Sequence, residues 1–125
     1  MTHSKPKDIT PQEREIYSYV KSIPGLALGY SVGLSSLEAM SFGYITALSN
    51  TGAKAERVFV PEGFVDYVIT KLHGKQALKE PHGIFNAIRL VEKDEKKGLS
   101  MFIQLLDEYL VQLGYEPIPE SKLKL

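Results

Sequence analysis

The strongest constraint on the fold is a helical spacing of apolar residues that occurs five times along the chain. In each stretch the apolar residues recur mainly at intervals of three and four, which places them on one face of an α-helix. Proline or glycine separates the stretches. Their apolar residues are Ile16, Tyr19, Val20 and Ile23; Leu37, Met40, Tyr44 and Leu48; Phe64, Val65, Val68, Ile69 and Leu72; Ile84, Phe85, Ile88 and Val91; and Phe102, Ile103, Leu106, Leu110 and Leu113. We therefore predict a mainly α protein, a compact bundle of about five helices around one core.

The predicted bundle accounts for most of the chain as a single domain. A length of 125 residues with 43% hydrophobic residues fits one globular core. Residues 1–9 are polar and are predicted to be a disordered lead-in, and residues 10–114 form the helical domain. Residues 115–125 are predicted to be a separate C-terminal tail, because Pro117 and Pro119 cannot continue a helix.

Capping patterns locate several helix ends. Thr10 and Glu13 have the spacing of a capping box, and Ser35 and Glu38 repeat it. The charged run at 92–97 is predicted to extend the fourth helix as far as Gly98.

One glycine-rich stretch has no clear helical pattern. Residues 26–34 are apolar, and glycines stand at positions 25, 29 and 33. We expect an extended or irregular segment there, and it could pair with the β-prone residues 57–60 in a small two-stranded element.

Composition excludes several functional classes. The chain has no cysteine, which excludes disulfides and cysteine-ligated metal centres. A formal net charge of zero argues against a general nucleic-acid or membrane-surface binder. The polar N-terminus lacks the apolar run of a secretory signal, and no apolar stretch is long enough to span a membrane. We therefore predict a cytoplasmic protein.

Neutrality of the whole chain conceals an uneven distribution of charge. Glu38 is the only charged residue between Lys21 and Lys54. From position 99 to position 121 there is no Lys or Arg, whereas Asp107, Glu108, Glu116 and Glu120 are all present. The C-terminal part of the chain is therefore locally acidic.

No constellation of residues indicates catalysis. His73, Glu80 and His82 are the one cluster of metal-ligand types, and their spacing matches no compact zinc motif. The sequence also lacks a nucleophile elbow and a phosphate-binding loop. We predict no catalytic residues, no cofactor and no metal, and hence a protein that is not an enzyme.

The acidic segment also carries tyrosines, which are rigid anchors common in protein interfaces. We therefore expect a protein that binds another protein, specifically an inhibitor or immunity-type protein that neutralises a basic toxin such as a nuclease. The predicted partner-binding residues are Asp107, Glu108, Tyr109, Tyr115, Glu116 and Glu120.

Three alternatives remain open at this point. The region around His73 and His82 could belong to a small hydrolase or ligand-binding domain. The basic residues between Lys71 and Lys97 could contact nucleic acid. The uncharged block after Lys21 could form a homodimer surface.

Overall fold

The computed structural model describes residues 5–22, 24, 32–51, 59–79 and 83–121, and these residues form a helical bundle. Its helices are α1 (Pro11–Ser22), α2 (Leu34–Asn50), α3 (Phe64–His73), α4 (Ile84–Arg89) and α5 (Glu95–Gln112), with a 3-10 turn at Lys75–Lys79. The predicted mainly α bundle of five helices is confirmed.

The proposed strand pairing of 26–34 with 57–60 falls mostly outside the described residues. At its described ends, Leu34 begins α2, and Phe59 and Val60 form a bend. No strand is present in the part of the chain that the structure describes. Within the same residues, no helix combines the length and the apolar composition needed to cross a bilayer.

The core is organised around Phe102 of α5. Its ring lies 6.1 Å from that of Tyr17 on α1, and 5.6 Å from those of both Phe64 on α3 and Phe85 on α4. Contacts of this kind add to the energy of simple area burial. One aromatic residue therefore joins four helices.

The first helix starts as predicted but turns a different face to the core. Glu13 accepts a hydrogen bond from the Thr10 N–H at 2.9 Å, and Thr10 Oγ1 accepts one from the Glu13 N–H at 3.1 Å, so the capping box forms. Tyr17 is fully buried and its hydroxyl donates to the Phe59 carbonyl, whereas Tyr19 is only half-buried. The predicted stripe through Tyr19 is therefore displaced toward Tyr17.

The start of α2 is stabilised by a distant helix rather than by the predicted capping box. The Ser35 N–H donates to the Glu95 carboxylate at 2.8 Å. Arg89 donates to both Ser35 Oγ and Glu38 Oε1 at 2.9 Å, so neither side chain is used as a local cap. The predicted capping box does not form, because Arg89 of α4 and Glu95 of α5 make hydrogen bonds to the groups that a local cap would use.

The boundary between α4 and α5 also differs from the prediction. α4 ends at Arg89, and Asp94 caps α5 by accepting the Lys97 N–H at 2.9 Å. Gly98 lies inside α5, where an added Cβ would meet the Leu34 side chain at 3.3 Å. This glycine permits close approach of α2 and α5, and it does not end a helix.

The packed domain extends beyond residues 10–114 at both ends. Ile9 is 3% exposed and Ile118 is 1% exposed, so both belong to the core. The Glu62 N–H donates to the Lys7 carbonyl at 3.1 Å. The described residues of the predicted lead-in and tail are thus part of the domain, held by single apolar side chains that create no periodic signal.

Candidate functional site

The structure does not bring the six predicted binding residues together on one surface. Asp107 and Glu108, the two tyrosines, and the pair Glu116 and Glu120 have different surroundings. Asp107 and Glu108 lie beside a groove of about 410 Å³ over Leu99 and Ile103. Both carboxylates are engaged by lysines of other helices. Asp107 pairs with Lys21 at 2.9 Å, and Glu108 pairs with a lysine of α3.

The pairing of Glu108 has an electrostatic consequence. Its partner is Lys71, whose hydrogen bond holds the pKa of the Glu108 carboxyl below its usual range and raises the pKa of the lysine. Asp107 and Glu108 therefore present little uncompensated negative charge to a cationic partner.

Both predicted tyrosines support the fold. Tyr109 is 7% exposed, and its hydroxyl donates to the Glu62 carbonyl at 2.6 Å. Desolvation of this buried ring raises the pKa of Tyr109. The Tyr115 hydroxyl donates to the Pro6 carbonyl at 2.8 Å, and Lys5 lies 3.8 Å from the centre of its ring.

Glu116 and Glu120 are the two predicted residues that remain exposed and whose carboxylates form no hydrogen bond with a described residue. They belong to residues 115–121, which we call the C-terminal segment. This segment runs without helical structure beside α1. Its position decides what surface the two carboxylates can form.

Side chains of α1 hold the C-terminal segment by its backbone. Arg14 donates to the Glu116 carbonyl at 2.8 Å, Ser18 to the Pro119 carbonyl at 2.7 Å and Lys21 to the Ile118 carbonyl at 2.8 Å. These three residues recur at intervals of four and three, so they form one row on the helix. The row thus binds three backbone carbonyls of the C-terminal segment.

A second groove, which we call the acidic groove, lies between α1 and the C-terminal segment. Its volume is about 410 Å³, and its walls include Glu15 and Tyr19 from α1 with Pro119 and Glu120 from the segment. The Tyr19 hydroxyl donates to Glu15 at 2.9 Å, and this hydrogen bond is the main reason that the pKa of Tyr19 is raised. An aromatic residue thus lines the groove together with two carboxylates, and it donates a hydrogen bond to one of them.

Among the described residues that line it, the acidic groove retains net negative charge. Arg14 also lines it, but both of its terminal nitrogens are occupied, one by the Asp8 carboxylate at 2.9 Å. No ion pair to a described residue compensates Glu15, Glu116 or Glu120. The groove therefore offers two carboxylates, those of Glu15 and Glu120, and a tyrosine to a cationic group, and Glu116 stands exposed on the same segment as Glu120.

Sequence reasoning missed Glu15 and Tyr19, although one signal was available. The two residues stand at i and i+4, the spacing that brings side chains together on a helix surface. Interpreting Tyr19 as a core residue hid this pair.

The residues named for the alternatives are placed as follows. His73 Nε2 donates to the Ala87 carbonyl at 2.8 Å, which links α3 to α4, and His82 lies outside the described residues. No group of metal-ligand residues occurs in the parts of the chain described above. Two cations of the basic stretch, Lys71 and Arg89, are paired with carboxylates.

Comparisons with protein-family models, with curated proteins and with solved structures found no match for this chain. Function is therefore inferred from the geometry and charge of the acidic groove.

Proposed function

We propose that this protein is a small, non-enzymatic, cytoplasmic binding protein of the inhibitor or immunity type. Its partner is a protein with a cationic surface, such as a basic toxin domain, and the acidic groove binds it. The observation that carries the proposal is the pair of exposed carboxylates at Glu15 and Glu120, which line the groove with Tyr19 and form no ion pair with a described residue. The sequence predicted an acidic, tyrosine-bearing surface on α5 and the C-terminal segment. We now propose that this surface lies between α1 and the C-terminal segment.

Rigidity of the groove favours binding. One wall is a helix, and the other is a segment whose carbonyls are held by Arg14, Ser18 and Lys21. A surface that is ordered before contact loses little conformational entropy when it binds. Tyr19 adds contact area at low entropic cost and has only two side-chain torsions to order.

The charges set the mode of association. Uncompensated carboxylates attract a cationic partner during its approach and raise the rate of association. Salt screens such exposed charges, so affinity should fall as ionic strength rises. When this protein is bound to a nuclease in this way, it covers the basic residues with which the nuclease would bind the phosphate backbone of its nucleic-acid substrate.

Charge reversal tests the proposal. The double variant Glu15→Lys with Glu120→Lys removes both carboxylates that line the groove. The matched control, Glu62→Lys with Asp66→Lys, makes the same change in charge at exposed positions before and within α3. The wild-type protein and both variants are used to capture partners from a lysate of the source cell, and the captured protein is then purified.

We expect a basic protein that binds the wild type and the control but binds the groove variant at least about tenfold more weakly at low salt. The difference should shrink as salt is added. Equal affinity of all three proteins, with the same dependence on salt, would contradict the proposal.

A further inference from the structure

The last described residue of the C-terminal segment lies in the wall of the acidic groove. The Ser121 N–H donates to Ser22 Oγ at 2.7 Å, and Ser121 lines the groove together with Glu15, Tyr19 and Glu120. This hydrogen bond fixes the point from which the chain continues, at the end of α1. The residues that follow Ser121 are therefore tethered beside the groove.

The sequence after Ser121 is opposite in charge to the groove. Residues 122–125, which we call the basic tail, read Lys-Leu-Lys-Leu and lie outside the described residues. They contain no acidic residue, and their two lysines are the first cations after Lys97. Two positive charges thus follow directly on the locally acidic part of the chain.

The basic tail is long enough to reach both carboxylates of the groove. Tyr19 lies three residues before Ser22 on α1, and Glu15 lies seven residues before it. These separations correspond to about 4.5 Å and about 10.5 Å along the helix axis. Three residues of backbone span at most about 10 Å, and a lysine side chain adds a flexible four-carbon stem. An ammonium group of the tail can therefore contact Glu15 as well as the neighbouring Glu120.

We infer, on the basis of the proposed function, that Lys122 and Lys124 bind the carboxylates of Glu15 and Glu120 when no partner is present, so that the basic tail occupies the acidic groove. Neither carboxylate has an ion pair with a described residue, so charge complementarity favours a cationic occupant. A short tether gives the tail an effective concentration in the millimolar range. Contacts that would be too weak between separate molecules therefore form within one chain.

The basic tail then regulates the groove by competition. Exposed ion pairs are individually weak, so the tail lowers the affinity of a cationic partner by a modest factor and does not block the groove completely. A strongly basic surface displaces the tail, whereas a weakly charged protein does not. The tail therefore makes the groove more selective for highly cationic partners.

A fluorescently labelled hexa-arginine peptide tests this regulation without the natural partner. The tail variant combines Lys122→Gln with Lys124→Gln in the full chain. The matched control combines Lys96→Gln with Lys97→Gln, which removes two exposed lysines at the start of α5. Fluorescence anisotropy at low salt gives the dissociation constant of the peptide for the wild type and both variants. The NMR resonances of the Tyr19 ring report directly on occupation of the groove.

We expect the tail variant to bind the peptide at least about threefold more tightly than the control does, because the competing lysines are absent. The Tyr19 resonances should differ between the wild type and the tail variant at low salt, and this difference should disappear at high salt. Adding Glu15→Gln and Glu120→Gln should abolish the effect of the tail variant on peptide affinity.

Three results would overturn the inference. They are equal peptide affinity of the tail variant and the control, Tyr19 resonances that the tail variant leaves unchanged, and a Tyr19 shift that grows with protein concentration. The last result would show that the tail of a second copy binds instead. The two proposals fail independently, because the peptide and the Tyr19 resonances detect an occupied groove even when capture from a lysate yields no partner.

Discussion

Asp107 and Ile118 join the last helix to the C-terminal segment. The Asp107 carboxylate accepts the Ile118 N–H at 2.7 Å, and its other oxygen binds Lys21 at 2.9 Å. The Ile118 side chain is buried beside them. One carboxylate therefore connects α1, α5 and the wall of the acidic groove.

Ile118→Ala should destabilise the whole domain. Removing a buried isoleucine side chain typically costs about 2–5 kcal/mol, because transfer energy is lost and a cavity remains. The control Val111→Ala, at a 56% exposed position, should change the free energy of unfolding by less than about 0.5 kcal/mol. Urea denaturation measures both, and equal stability of the two variants would show that the C-terminal segment is not part of the core.

Asp107→Ala should loosen the C-terminal segment. The substitution leaves the half-buried Ile118 N–H without its acceptor and removes the partner of Lys21, with an expected loss of about 1–3 kcal/mol. Asp107→Asn keeps an oxygen that can accept the Ile118 N–H, and it should lose less. Hydrogen exchange at Ile118 should be faster in Asp107→Ala than in Asp107→Asn, and identical exchange in the two variants would refute this role.

Gly63→Ala should be destabilising for two separate reasons. Gly63 has a φ of +84°, and the Tyr109 hydroxyl occupies the place of an added Cβ. Alanine in the left-handed region costs about 1–2 kcal/mol before any steric clash is counted. Adding Tyr109→Phe removes the clashing oxygen, so the double variant should lose less stability than the sum of the two single changes. In Gly83→Ala, where φ is −79° and no atom is close, stability should change little.

Stability should depend on pH through Glu95. The hydrogen bond from Ser35, followed by Arg89, lowers the pKa of Glu95 from its ordinary value of 4.5. A lowered folded-state pKa contributes stability that is present above the unfolded value and is lost as pH falls through the folded value. Glu95→Gln should therefore be less stable than the wild type at neutral pH, and this difference should shrink as pH falls below about 4.5. A difference in the free energy of unfolding that stays constant across this range would exclude the mechanism.

Helix number and fold class followed from sequence because periodicity is a local signal. Five apolar sets predicted five helices, and the Thr10–Glu13 capping box forms as its spacing indicates. The second capping box failed because Arg89 and Glu95 come from distant parts of the chain. Such tertiary competition has no signature in the spacing of Ser35 and Glu38.

The candidate site was predictable in its chemistry and less so in its position. Glu116 and Glu120 were found from the local excess of acid, and they remain exposed. Asp107 and Glu108 look the same in sequence, yet lysines on α1 and α3 pair with them. Which carboxylates stay uncompensated depends on helix packing, and the sequence pattern does not carry that information.

The way in which the C-terminal segment is held also protects the molecule from aggregation. An extended chain at a surface normally exposes amides and carbonyls that another chain can pair with to extend a β-sheet. Here Pro117 and Pro119 have no N–H to offer, and the N–H between them is bound by Asp107. The carbonyls of Ile118 and Pro119 are occupied by Lys21 and Ser18. The segment can therefore lie at the surface without becoming a template for fibre growth.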